Sequence, residues 1–389
     1  MAFGIYKKLK NIFPLISEGG IINFMKLIKF RLSKKKTISL KLKGNRKRAY
    51  ISYIPESLIR QDAKYLNLHQ NRREMKIIAE TFLANGYDVI VQEFTAPIID
   101  DSVFDVVFGL EPNFTTMARR TLKARHISYA TGAYSPFANN AIEKRTNEFN
   151  QKHSANIPPR RVCMVDEAPE IADIILQIGS KFTIQTYPSH LQGKIRLINQ
   201  SSNYLPSQSL DLRKPDKHNF LWLASSGSIL KGVDLVIEAF MQHPELSIDI
   251  VGPVEQDILK YFPIDKYPNI RIHGFIDVNT PEFQKIITST AFLLYPSATE
   301  GAPGAVNVAM KNGIIPLTSS VASPDDIDRL GFMIKSLDSD GIEEALSWSQ
   351  TLSDEEIKRL HNRNIEYAKR WSLDNFKDEF NRFLHTLSD

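Results

Sequence analysis

Cysteine is almost absent from this 389-residue chain. The single Cys163 rules out an intramolecular disulfide and a cysteine-built zinc site, and it fits a reducing compartment. Long apolar runs are also missing: nothing approaches the roughly 18 residues a membrane-spanning helix needs. No Gly-x-Gly-x-x-Gly accompanies the first strand-like segment, which argues against a dinucleotide-dependent oxidoreductase. The nine histidines include no His-x-x-x-His pair, which argues against zinc. Acidic residues are nearly missing from positions 1–50, where Glu18 stands alone against 14 Lys or Arg. The remaining residues carry 35 bases against 43 acids. A nucleic-acid binder would spread its basic residues over the folded body, so that class is disfavoured. With 42% hydrophobic and 24% charged residues, the composition is that of a globular protein, and the length suggests two domains of roughly 150–200 residues.

The basic excess sits on an N-terminal arm, residues 1–45. Phe3, Tyr6, Leu9 and Phe13 fall at helical spacing beside Lys7, Lys8 and Lys10. After Gly19-Gly20, the set Ile21, Met25, Ile28 and Leu32 repeats the pattern beside Lys26, Lys29 and Arg31. Apolar stripes flanked by lysine suit an anionic membrane surface, where each cation adds ~1 kcal/mol. A Lys-interrupted, short apolar stretch makes a poor signal peptide. The alternative is a solvated basic flank whose apolar side packs on the body. The first reading places the protein in the cytoplasm, peripheral on the inner face of the membrane.

The body alternates strands and helices. Strands are expected at Ala49–Ile54, Tyr87–Glu93, Asp105–Leu110, Ile127–Ala130, Arg161–Val165 and Phe182–Thr186. Helices are expected near Arg72–Ala84, Thr115–Leu122, Asn139–Lys152 and Pro169–Ile178. Ser202–Lys217, rich in Ser, Pro, Asp and Lys, reads as a linker. The pattern then restarts with strands Phe220–Ala224, Ser247–Val251, Ile270–His273, Ala291–Tyr295 and Ile314–Leu317. Between these lie helices from Val233, Pro281 and Ala305, and a charged helical region follows Asp354. Two such halves imply an α/β architecture of two Rossmann-like, doubly wound domains facing across a cleft, with a ligand at the carboxyl ends of the strands.

Two loops are chemically suggestive. Ser225–Asp234 (SSGSILKGVD) follows a strand and opens a helix, offering backbone N–H groups and Lys231 to a phosphate. It lacks the Walker order, and an ordinary strand–helix turn explains it equally well. Ser297–Pro316 likewise runs from strand through small residues to helix, with Glu300 at its mouth and Gly301 and Gly304 permitting close approach. Glu300 reads either as an acceptor for ligand hydroxyls or as a carboxylate satisfied by a helix start. Asp338–Asp340 precedes a helix and reads as a cap rather than a metal site.

KGVDLVIEAF, SIDIVG, NIRIHGF and PSATEGAPGAVNVAMKNGIIP resemble the C-terminal half of the family-4 retaining glycosyltransferases of GT-B fold, over about residues 218–335. HQNRREMKIIAETFLANGYDV and YATGAYSPFANN carry the resemblance in the N-terminal half. The resemblance implies sugar transfer from a UDP- or GDP-sugar to a glycan or lipid-linked acceptor, with neither cofactor nor metal. It implies an acceptor domain at 46–205, a donor domain at 206–372, and a final helix, 373–389, crossing back onto the first. Lys231 matches the lysine on the donor diphosphate, and Glu300 the first Glu of the Glu-x7-Glu element on the donor sugar. Ser226, Gly227, Gly232, Gly301, Ala302, Pro303, Gly304 and Asn307 complete the implied donor site. Two positions depart: the second Glu falls on Val308, and a frequent Arg five residues before the lysine falls on Ser226. Those departures motivate the alternative of a non-catalytic GT-B protein binding a partner enzyme or a glycan. His69, Asn71 and Arg72, with Thr131, Gly132 and Tyr134, either line the acceptor side or form local helix starts.

Overall fold

The computed structural model describes residues 25–33, 36–42, 44, 47–60, 62–67, 69–98, 102–165, 167–202, 204 and 214–387. The first amphipathic segment of the arm, with Ile21, lies outside these residues, as does most of the expected linker.

The first sheet has seven strands: β1 (Thr37–Leu40), β2 (Lys47–Tyr53), β3 (Tyr87–Glu93), β4 (Val106–Gly109), β5 (Arg125–Ala130), β6 (Ile174–Ile178) and β7 (Ile195–Ile198). Their spatial order is β1-β3-β2-β4-β5-β6-β7. All pairs are parallel except β1 with β3, which is antiparallel. Thus the arm's C-terminal part is an edge strand. The preceding helix α1 (25–32) buries Leu27 and Phe30 against Ile59 and leaves Met25, Ile28 and Leu32 exposed.

Helix α2 (Asn71–Ala84) follows from its pattern: Met75, Ile78, Ala79 and Phe82 make one buried face, and Gly86, at φ +85°, lies just past its end. Next come α3 (Asn113–Arg120) and α4 (Ser135–His153). Three expectations fail in the stretch that follows. Residues 161–165 form no strand, and Val162, Met164 and Val165 are exposed. The expected helix at 169–178 is a single turn, Ala168–Ile171, followed by β6. Phe182–Thr186 is not a strand; Lys181–Ile184 is helical, and at its start Ser180 N donates to Thr183 Oγ1 at 3.1 Å.

The second sheet holds β8 (Asp216–Leu223), β9 (Ser247–Val251), β10 (Ile270–Gly274), β11 (Thr290–Tyr295), β12 (Ile315–Ser319) and β13 (Phe332–Ile334). Every pairing is parallel, in the order β10-β9-β8-β11-β12-β13. Every residue of β11 is buried, as befits a strand covered on both faces. β8 begins at Asp216, inside the expected linker. Helices α5 (Val233–Gln242), α6 (Pro281–Ile287), α7 (Gly304–Lys311), α8 (Ser339–Thr351) and α9 (Asp354–Ala368) cover it. Asp338 caps α8, its carboxylate accepting from Gly341 N at 2.9 Å.

The halves are interlocked. Helix α10 (Leu373–His385) returns to the first sheet, burying Phe376, Phe380 and Leu384 with Phe82 and Phe108. Conversely, Phe149 of α4 and Ile157 beyond it are buried in the second core beside Phe220, Trp222 and Phe240. Arg145 of α4 and Asp234 of α5, both almost fully buried, join the halves with a 2.7 Å ion pair.

Candidate active site

In the second sheet the strand order reverses between neighbours β8 and β11, and at such a switch point the loops diverge to leave a crevice. The loops after these two strands carry Lys231 and Glu300. They are bonded to each other, Ala298 N donating to Leu230 O at 2.9 Å. Gly232 has φ +71°, and a Cβ there would lie 2.6 Å from the carbonyl oxygen of Pro296, so only glycine fits. Trp222 Nε1 donates to the Lys231 carbonyl at 3.0 Å and fixes the backbone from which the lysine projects.

Lys231 and Glu300 form an ion pair with side chains 7% and 13% exposed. Lys231 Nζ donates to Glu300 Oε1. The same oxygen accepts from Tyr295 Oη at 2.7 Å and Ser297 Oγ at 2.8 Å. Burial, and after it the Glu300 carboxylate, pushes the Tyr295 hydroxyl well above the ordinary phenol range, so it remains a donor. Three donors thus converge on one oxygen and leave Oε2 with no partner among the described residues. Tyr295 and Ser297 escaped the sequence reading; their two-residue spacing at the end of an apolar strand is the signal that would have found them.

The loop after β8 differs from expectation in its amides. Gly227 N and Ser228 N donate to the Glu255 carboxylate at 3.2 and 3.3 Å, and Lys231 N and Gly232 N close turns within the loop. These N–H groups are therefore already occupied. The first turn of α7, by contrast, has no side-chain cap. Ser226, where the resemblance implies arginine, accepts instead from Arg161, whose guanidinium lies 3.3 Å from its carbonyl and 3.4 Å from its hydroxyl.

The loop after β11 touches the first domain. A Cβ on Gly301 would fall 2.6 Å from Thr131 O and 3.0 Å from Gly132 Cα. Gly301 O accepts from Thr183 Oγ1 at 3.2 Å, and Ala302 packs against the first core. Gly301, Ala302 and Pro303 face Gly179, Ser180, Asn199 and Gln200 across a cavity. Gly304 starts α7, on which Val308 is buried among apolar residues including Val251 and Ile276. Asn307 is 1% exposed, and both amide atoms lack a hydrogen-bond partner among the described residues.

Of the residues expected on the acceptor side, Thr131 and Gly132 reach the seam. The others make local contacts. Arg72 lies 3.9 Å from the Tyr65 ring and donates to Tyr65 O at 2.7 Å. His69, its pKa lowered by burial, accepts from Asn71 N at 3.3 Å, and the two form the start of α2. Tyr134 packs on Tyr187 at 5.0 Å within the first domain. Among the described residues no cluster of His, Cys, Asp or Glu could hold a metal, and no helix is long and apolar enough to cross a membrane.

Residues 217–350 match the family described as Glycosyl transferases group 1. Comparison with curated proteins gives no sequence match. Among solved structures, sucrose-phosphate synthase from Thermosynechococcus elongatus aligns with TM-score 0.56 at 12% identity, covering 88% of this chain and 99% of that one. Anabaena HepE, in complex with UDP and glucose, aligns with TM-score 0.54 at 12% identity, covering 87% and 99%. At such identities the likeness concerns the fold. The chain takes the GT-B fold, and its second half carries a domain similar to the glycosyl transferases group 1, which together support a GT-B glycosyltransferase.

Proposed function

We propose that the protein is a retaining, metal-independent hexosyltransferase. It moves a sugar from a UDP- or GDP-sugar to a glycan or lipid-linked acceptor in surface polysaccharide synthesis. The observation that carries this reading is the convergence of Lys231, Tyr295 and Ser297 on one oxygen of Glu300 at the switch point. The second oxygen is left for a sugar hydroxyl, and a cation stands beside it for phosphate. Breaking the anomeric bond builds negative charge on the departing diphosphate. Lys231 stabilises it, and removal of one such donor raises a barrier by ~3–4 kcal/mol. The HepE structure holding UDP and glucose fits the same ligand class. The basic arm, residues 1–45, supports a position on the anionic inner face of the membrane. One observation favours a second reading, a non-catalytic GT-B protein: Val308 is buried in apolar surroundings and offers nothing to a ribose.

Calorimetric titration with UDP- and GDP-sugars tests the reading. Lys231→Ala is expected to abolish donor binding, and Glu300→Gln to retain binding but lose transfer and donor hydrolysis. A wild-type protein that binds no nucleotide-sugar sinks the proposal, while binding with neither hydrolysis nor transfer selects the second reading.

A further inference from the structure

We infer that Arg161, supplied by the segment after α4, is the second cation on the donor diphosphate and does the work that Ser226 cannot. This rests on the proposed nucleotide-sugar reading. The charge balance around the two loops motivates it. Lys231 is already paired with Glu300, and Glu255 occupies the amides of Gly227 and Ser228. Neighbouring Arg160 is spent on Asp257 at 2.5 Å, with Glu255 at 3.8 Å. Those groups are two cations, Lys231 and Arg160, against three carboxylates, Glu300, Asp257 and Glu255, so an unpaired cation for a pyrophosphate must come from elsewhere.

Arg161 supplies it. Its guanidinium is exposed, has no carboxylate partner among the described residues, and rests on the neutral Ser226 oxygens at the long distances of 3.3 and 3.4 Å. Such contacts yield readily to charge-assisted bonds with phosphate. The placement is built in. Arg161 holds a left-handed backbone, φ 64°, and its side chain runs so close over Gly227 that a Cβ there would lie 2.7 Å from Arg161 Cδ. Ile157, buried in the second core, and the Arg160–Asp257 pair anchor the segment just upstream.

Calorimetry on the full chain with UDP, GDP and inorganic pyrophosphate tests this, comparing wild type with Arg161→Gln and Arg161→Lys. Arg161→Gln is expected to weaken the nucleoside diphosphates and pyrophosphate by about 10- to 100-fold, with Arg161→Lys recovering part of the loss. Thermal midpoints should be unchanged, because the side chain is exposed. If wild type binds a nucleoside diphosphate and Arg161→Gln binds it equally well, the inference falls and the glycosyltransferase reading stands. If wild type binds none of the three probes, both fall.

Discussion

Glu74 is the most completely buried carboxyl in the first domain's core, 1% exposed, and sits far in sequence from the residues that hold it. Its Oε1 accepts from Ser201 N and Ser201 Oγ, both at 2.7 Å, fastening the end of the first domain to α2. Burial raises its pKa from 4.5 to about 7, outweighing the hydrogen bonds that lower it. A raised value means that the folded protein keeps a proton the unfolded chain releases. Stability should therefore fall as pH rises from about 4.5 to about 7 and change no further from this source above that. The full effect of such a shift is roughly 3 kcal/mol. Urea unfolding at pH 5 and pH 8 should show this loss in the wild type and a much smaller one in Glu74→Gln. Equal slopes in the two proteins would show that Glu74 does not titrate in this window. At this scale the sequence makes legible where a residue stands in its own loop. Lys231 and Glu300 each stand between a strand and a helix, and the fold brings those loops together. Arg161 was not legible, because its role depends on which loop lies opposite, and nothing local encodes that.

Elements were legible in proportion to the length of their pattern. Helix α2 and strands β3 and β9 show clear periodicity and stand within a residue of expectation. Between 161 and 186 the segments are short, and short apolar runs do not distinguish strand, helix and exposed loop. Residues 161–165 have strand composition but no neighbour to pair with. Ile174–Ile178 is a buried strand hidden in an apolar stretch that also fits a helix. Helix α1 divides its apolar residues between two faces. Leu27 and Phe30 hold it to Ile59, while Met25, Ile28 and Leu32, spaced three and four apart, face outward with exposed Lys26 and Lys29. Membrane contact would use the outward face alone. Replacing Met25, Ile28 and Leu32 by Ser should therefore reduce sedimentation with anionic liposomes and leave the thermal midpoint within about 1 °C, as for other exposed sites. Leu27→Ala should instead lower stability. Unchanged liposome retention in the triple variant would assign α1 to the solvated alternative.

At the scale of the molecule, the two sheets exchange elements in both directions, so neither is a self-sufficient unit. α10 completes the first core from the far end of the chain, and α4 completes the second from within the first domain's span. The Arg145–Asp234 pair adds a penalty to separation, since pulling the halves apart would strand two charges that are now buried together. Separate folding units would unfold separately, whereas units that supply parts of each other's core must unfold together. Scanning calorimetry of the wild type should accordingly give a single cooperative transition. Phe149 is the apolar anchor of this coupling, 1% exposed and lodged 5.6 Å from Tyr261 and 6.4 Å from Phe262, ring centre to ring centre. Phe149→Ala removes about 3–5 kcal/mol of packing there and leaves the first sheet's own core untouched. The variant should split the transition in two, with the second domain melting first and the first domain, still closed by α10, melting near the wild-type midpoint. Two resolved transitions in the wild type would mean that α4 rests on the second core without coupling the halves, whereas one transition merely shifted in Phe149→Ala would mean that other contacts carry the coupling.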